Sequence, residues 1–97
     1  METIKLSEQD IVNAICLHTA DKKQVEPQEV EVELLWDEQY GFSSEIYTHG
    51  RKQVLIEANM LEAIRFWIDR ELQRDPFSAG IQLQLEDEEG IVAYLRY

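Results

Sequence analysis

The sequence predicts an α+β fold: a two-layer sandwich with two helices on one face of a mainly antiparallel sheet of four to five strands, in the order α-β-β-β-α-β-β. Three observations carry that reading. Glu29-Val30-Glu31-Val32-Glu33-Leu34 alternates acid and apolar residue without a break, and a period of two marks a strand with one buried face. Residues 8–22 and 60–74 instead space their apolar side chains three and four apart, as a helix with one buried stripe requires. Short turn-rich links, Asp37-Glu38-Gln39-Tyr40-Gly41, His49-Gly50 and Asp87-Glu88-Glu89-Gly90, join the remaining apolar runs, and links that short make their strands antiparallel neighbours. At 97 residues, 44% of them hydrophobic, the chain is long enough for one domain with its own core, and it reads as a single domain over 1–97.

Each element has its own justification. Ser7, with Asp10 three places on, forms a loose capping box, and Glu8 and Asp10 suit the positive end of a helix. Ile11, Val12, Ile15 and Thr19 follow at helical spacing, and Lys22 and Lys23 suit the negative end, which places the first helix at about 8–22. Pro27 closes the link. The first strand runs over 29–37, the second from Phe42 to Thr48 and the third from Arg51 to Ala58. His49-Gly50 serves as a two-residue hairpin loop, because glycine readily adopts the positive φ such turns demand. Asn59 and Glu62 repeat the cap pattern before a second helix over 60–74, whose face holds Met60, Leu61, Ile64, Trp67, Ile68 and Leu72. Asp75-Pro76 ends it, since a residue before proline leaves helical geometry. Ile81, Leu83 and Leu85 alternate in a fourth strand, and Ile91 to Tyr97 form the fifth.

Assembled as one sheet, these strands turn Val30, Val32, Leu34, Trp36, Ile46, Ile81, Leu83 and Leu85 towards the helices. The opposite face then presents Glu31, Glu33, Glu45 and Tyr47, with Tyr94 joining them if the register allows. Between Gln24 and Gly50 there are seven carboxylates and no Lys or Arg. Over the whole chain 20 Asp and Glu outnumber 9 Lys and Arg, for a net charge of -11. Such a surface repels phosphate backbones and anionic lipid, so nucleic acid and membranes are not expected partners. A basic protein, or a second copy meeting at an open strand edge, is consistent with it. The N-terminus carries no signal-peptide pattern and no stretch is apolar enough to cross a membrane, which points to a cytoplasmic setting.

Chemistry is sparse. Cys16 is the only cysteine, so neither an internal disulfide nor a cysteine-based zinc site can form. His18 flanks the first helix stripe and His49 sits in a turn, and no H-x-x-x-H, H-x-H or E-x-x-H spacing presets metal geometry. Glu86-Asp87-Glu88-Glu89 gathers four carboxylates at a hairpin tip, but not with the spacing of a calcium loop. Ser43 and Ser44 lack a nucleophile elbow, and the isolated glycines build no phosphate loop. No cofactor is called for.

Across nearly its full length the chain resembles a small family of short acidic proteins from Bacillus-type bacteria, classed only as a domain of unknown function. Ser7-Glu8-Gln9-Asp10-Ile11-Val12, Glu29-Val30-Glu31-Val32-Glu33-Leu34 and Tyr40-Gly41-Phe42-Ser43 carry the resemblance. Asn59-Met60-Leu61-Glu62-Ala63-Ile64 and Asp75-Pro76-Phe77-Ser78-Ala79-Gly80 add to it. The resemblance implies a bacterial cytosolic setting and brings no activity, ligand or catalytic residue. The residues themselves favour a binding or interaction module that uses an acidic face (Glu31, Glu33, Glu45, Tyr47, Tyr94) or an open strand edge. The alternative is a small-molecule or metal-dependent enzyme built on His18, His49 and nearby carboxylates. A third reading is an acidic mimic of nucleic acid.

Overall fold

Ser7 opens the first helix as its side chain allows: Oγ accepts the Asp10 N–H at 3.1 Å while the Asp10 carboxylate accepts the Ser7 N–H at 3.0 Å. This is one joint of a computed structural model that describes all 97 residues. The chain order is β1 (Thr3–Leu6), α1 (Glu8–Lys23), β2 (Val30–Asp37), β3 (Gly41–Thr48), β4 (Arg51–Ile56), α2 (Glu57–Trp67), β5 (Gly80–Glu86) and β6 (Gly90–Arg96). A 3-10 turn, Pro27–Glu29, precedes β2, and α2 continues into one π turn, Ile68–Leu72. The fold is α+β, and no helix is long and apolar enough to cross a membrane.

Six strands form two antiparallel sheets of three, ordered β1-β6-β5 and β2-β3-β4, where the sequence suggested one sheet of four to five. The order is therefore β-α-β-β-β-α-β-β. The missed strand, β1, has only four residues, and its pairing partner lies at the far end of the chain (Ile4 opposite Leu95, Leu6 opposite Ala93). No local pattern reports a partner that distant. Because β1 and β5 flank it, the C-terminal strand β6 is central rather than an open edge, and Ile91, Val92, Ala93 and Leu95 are all buried.

The second helix begins earlier than its cap pattern suggested. β4 runs into α2 with no loop, and Asn59, inside the first turn, reaches back so that Oδ1 accepts the Ile56 N–H at 3.3 Å. At the other end the helix widens into its π turn and closes with Gln73 in left-handed geometry (φ 53°), its N–H bonded to the Ile68 carbonyl. Arg65 fastens the following loop, with Nη1 donating to the Pro76 and Ala79 carbonyls at 2.6 and 3.1 Å.

Both sheets serve one core. α1 packs on β1 and β6 of one sheet and on β2 of the other, and α2 packs on β3, β4 and α1. Leu6, Ile11, Ile15, Ile46, Met60, Ile64, Ile68 and Leu95 meet there with 2% exposure or less. Burying each such aliphatic side chain stabilises the fold by roughly 1.5–3 kcal/mol relative to leaving it in water. Two residues expected in this core lie outside it. Trp36 is 45% and Leu85 50% exposed, because each sits at a strand end, opposite Phe42 and Ile91, next to its hairpin turn.

Candidate interaction surface

The hairpin turn sets the register of the second sheet. His49 (φ 48°) and Gly50 (φ 77°) both take left-handed geometry, the two-residue turn whose twist matches paired strands. Thr48 therefore faces Arg51 and every later pair follows. With the β2–β3 pairing added, the face turned away from the helices is a grid of three rows. Its rows are Glu31–Tyr47–Lys52, Glu33–Glu45–Val54 and Leu35–Ser43–Ile56. The opposite face, from Val30–Thr48–Arg51 to Leu34–Ser44–Leu55, goes under the helices, and Val30, Thr48, Ile46 and Ser44 are buried there.

Charge on the outer face is unevenly matched. Glu45 accepts the Tyr47 hydroxyl at 2.7 Å and pairs with Lys52 at 3.0 Å. The tyrosine hydrogen bond first, then the lysine, holds the Glu45 carboxyl below the usual carboxylate range. The same contacts push the Tyr47 hydroxyl and the Lys52 ammonium upward. Glu33 lies directly opposite Glu45, a like-charge placement that destabilises a sheet pair. Neither Glu31 nor Glu33 takes part in any ion pair of the chain. On the same face but across β3 from these acids stand Val54 and Ile56, 54% and 62% exposed.

Tyr94 does not belong to this face. It lies in the other sheet, where its hydroxyl donates to Glu86 and its ring has Lys5 and Arg96 over it. Lys5 pairs with Glu86 at 3.0 Å and Glu89 at 2.7 Å, so two of the four hairpin-tip carboxylates are already neutralised. Hydrogen bonds from Tyr94 and then Lys5 hold the Glu86 carboxyl low. Of the five residues proposed from sequence, the fold brings together Glu31, Glu33, Glu45 and Tyr47.

The histidines are not brought together. His18 lies between α1 and α2, with its ring 5.0 Å from that of Phe66 and Nε2 3.6 Å from Glu62. His49 pairs with Glu29 at 3.3 Å in its exposed turn. No group of three His, Cys, Asp or Glu side chains is placed to hold a metal. Cys16 points its thiol at the Val30 carbonyl (3.6 Å), and burial pushes its pKa up. A cleft of about 580 Å³ between α1 and the π turn is lined by acids, by Phe66 and by Arg70. Arg70 covers the Phe66 ring at 4.6 Å and approaches Asp21 at 3.7 Å. The cleft holds no serine, cysteine or histidine, so it offers no side-chain nucleophile of the usual kinds or imidazole base.

Sequence reasoning missed Leu35, Val54 and Ile56 as surface residues. Val54-Leu55-Ile56 is an unbroken apolar run within the third strand, with no alternation to assign its faces, yet counting from the His49-Gly50 turn places Val54 beside Glu45 and Ile56 beside Ser43. That count was the available signal.

A family described as "Protein of unknown function (DUF2653)" has a model that matches residues 1–88. The chain belongs to this family. A curated protein similar to this DUF2653 chain is "Uncharacterized protein YxcD" of Bacillus subtilis (strain 168), 27% identical over 89 residues, which are 91% of this chain and 87% of that protein. No solved structure matches the chain. Neither the DUF2653 family nor YxcD is described by an activity, so the surface geometry carries the functional reading.

Proposed function

We propose that this DUF2653 protein is a small interaction module whose contact surface is the outer face of the β2–β3–β4 sheet, and that its partner is a basic protein segment. One observation carries the proposal: Glu31 and Glu33 on β2 make no ion pair, and exposed Val54 and Ile56 share their face of the sheet on the far side of β3. Unmatched charge attracts and orients an oppositely charged partner. Apolar side chains on the same face, released from water on contact, supply the non-directional part of the affinity. Tyr47, held by Glu45, offers a large ring whose position is already fixed.

The test compares the gently purified complex of the wild-type chain with that of Glu31→Lys/Glu33→Lys by native mass spectrometry. Asp87→Lys/Glu88→Lys, with the same change in net charge at a hairpin tip, serves as control. The sheet-face variant is expected to weaken a stoichiometric partner by roughly tenfold or more, while the control retains it. Glu33→Lys also relieves the repulsion with Glu45, so melting temperature holds or rises. Equal retention by both variants removes this face as the contact surface.

A further inference from the structure

Where the last turns of α1 meet the first turns of α2, over the helix-facing side of β3 and β4, the fold leaves a cavity of about 110 Å³. That is too small for a drug-sized ligand, which takes about 300–1,000 Å³, and large enough for one compact group. Four polar side chains that line it are unpartnered. Thr19 is only 6% exposed, yet its hydroxyl makes no hydrogen bond. A polar group buried to that extent ordinarily has a partner. Lys23 takes part in no ion pair. Gln53, opposite buried Ile46 and so turned towards the helices, makes no side-chain hydrogen bond. Asn59 commits its oxygen to the Ile56 N–H, which leaves its NH2 group free to donate.

We propose that this cavity binds a compact tetrahedral oxyanion, a phosphate group, through Thr19, Lys22, Lys23, Gln53 and Asn59. The unpartnered groups are chiefly donors: an ammonium, two amides and a hydroxyl. They arrive from α1, β4 and α2, so the ligand has to accept hydrogen bonds from several directions. A phosphate presents acceptor oxygens all round, whereas the two oxygens of a carboxylate lie in one plane. Charge agrees with this choice. In a chain of net charge -11 the lining of this cavity holds two lysines against one carboxylate, Glu62. Asn59 belongs to the first turn of α2, where the helix dipole favours an anion, and Lys22 and Lys23 offset the opposite end of α1. Glu62 is the stand-in for the ligand. Its side chain is 55% exposed, and one oxygen spans Lys22 at 3.1 Å and His18 Nε2 at 3.6 Å. When phosphate enters, that carboxylate turns out to solvent and releases Lys22 to the ligand. The site lies on the helix side of its sheet, away from Glu31 and Glu33, so it goes beyond the reading of the outer face and does not depend on it.

Inorganic phosphate titrated into the ¹⁵N-labelled chain at fixed ionic strength should shift the amide signals of Thr19 to Lys23, Gln53 and Asn59. The shifts should saturate with a dissociation constant of about 1 mM, in keeping with a ligand of so few atoms. Thr19→Val keeps the side-chain shape and removes the hydroxyl. Asn59→Asp keeps the bond to the Ile56 N–H and sets a carboxylate oxygen where the NH2 group was. Lys23→Gln removes a charge. Each should weaken phosphate by roughly tenfold. Thr19→Val loses no hydrogen bond within the chain, so its melting temperature should hold or rise, which separates weaker binding from damage to the fold. Glu62→Gln, by removing the competing carboxylate, should tighten phosphate, a gain that no merely structural role produces. Lys52→Gln, with the same loss of charge on the outer face, should bind as the wild type does. Glycerol phosphate saturating the same signals would mark the site as one for phosphate esters, and its failure to do so as one for the free ion. The proposal is overturned by an absence of saturable shifts, by equal shifts with matched chloride or acetate, or by binding indifferent to Thr19→Val, Asn59→Asp and Lys23→Gln.

Discussion

Burial decides the charge of His18. Its ring is wedged against Phe66, and loss of solvent, followed by the nearby Lys22, lowers its pKa, against smaller opposing pulls from Glu62 and Asp21. The folded state thus binds the proton less readily than the unfolded chain. Stability owed to this group is complete above the ordinary histidine value of about 6.5 and is lost as pH falls below it. Lowering the pH from about 7.5 to 5.5 should reduce the melting temperature of the wild-type chain more than that of His18→Gln, which cannot titrate. Equal reductions would show that the environment of His18 does not favour the neutral ring. Glu45 gives a second residue-scale test. Its carboxyl is held low first by the Tyr47 hydroxyl and then by Lys52, so its stabilising contribution exists at neutral pH and disappears as pH falls through the folded value. Removing the hydroxyl in Tyr47→Phe should move the Glu45 titration upward in a carboxyl-detected NMR series, and an unmoved titration would assign the shift to Lys52 alone.

At the scale of elements, the join between α1 and β6 depends on one glycine. Gly90 has φ +75°, and a Cβ there would stand 2.4 Å from Glu8 Oε2, the atom that accepts the Ile91 N–H at 3.0 Å. Gly90→Ala must adopt a left-handed geometry costing about 1–2 kcal/mol, and it displaces a charge-assisted hydrogen bond of about 1.5–3 kcal/mol. Urea unfolding should report a loss of roughly 2.5–5 kcal/mol. Adding Glu8→Ala should cost little more, because that bond is already gone; full additivity would show that Glu8 does not feel the new methyl group. This join also marks the limit of what the sequence discloses. β2, α1 and the His49-Gly50 hairpin were legible because local signals specify them: acid/apolar alternation, the Ser7–Asp10 cap and a turn that needs positive φ. β1 was not, since Thr3–Leu6 becomes a strand only through β6, and Glu8 extends that pairing with a side chain rather than with backbone. The acidic row Glu31, Glu33, Glu45 was legible for the same local reason as β2. Its apolar neighbours Val54 and Ile56, and the separation of Tyr94 into another sheet, depend on register and strand order, which alternation alone does not fix.

For the molecule as a whole, the question is whether two sheets with no ladder between them unfold as one. The shape is flat, 43 × 32 × 21 Å, and a three-stranded sheet buries little unless something covers it. α1 is shared: it lies on β1 and β6 on one side and on β2 on the other, and a single contiguous core joins Leu6, Ala93 and Leu95 of the first sheet to Val30 and Ile46 of the second. Such a shared core makes unfolding cooperative. Truncating a fully buried α1 residue, Ile15→Ala, should cost about 2–5 kcal/mol, and hydrogen exchange should show β6 and β3 losing protection by the same free energy. Ile46→Ala removes side-chain volume from the second sheet alone, yet under one cooperative transition it too should lower protection in β6. If Ile46→Ala lowered protection only in β2, β3 and β4, the two sheets would be independent folding units that happen to share a helix.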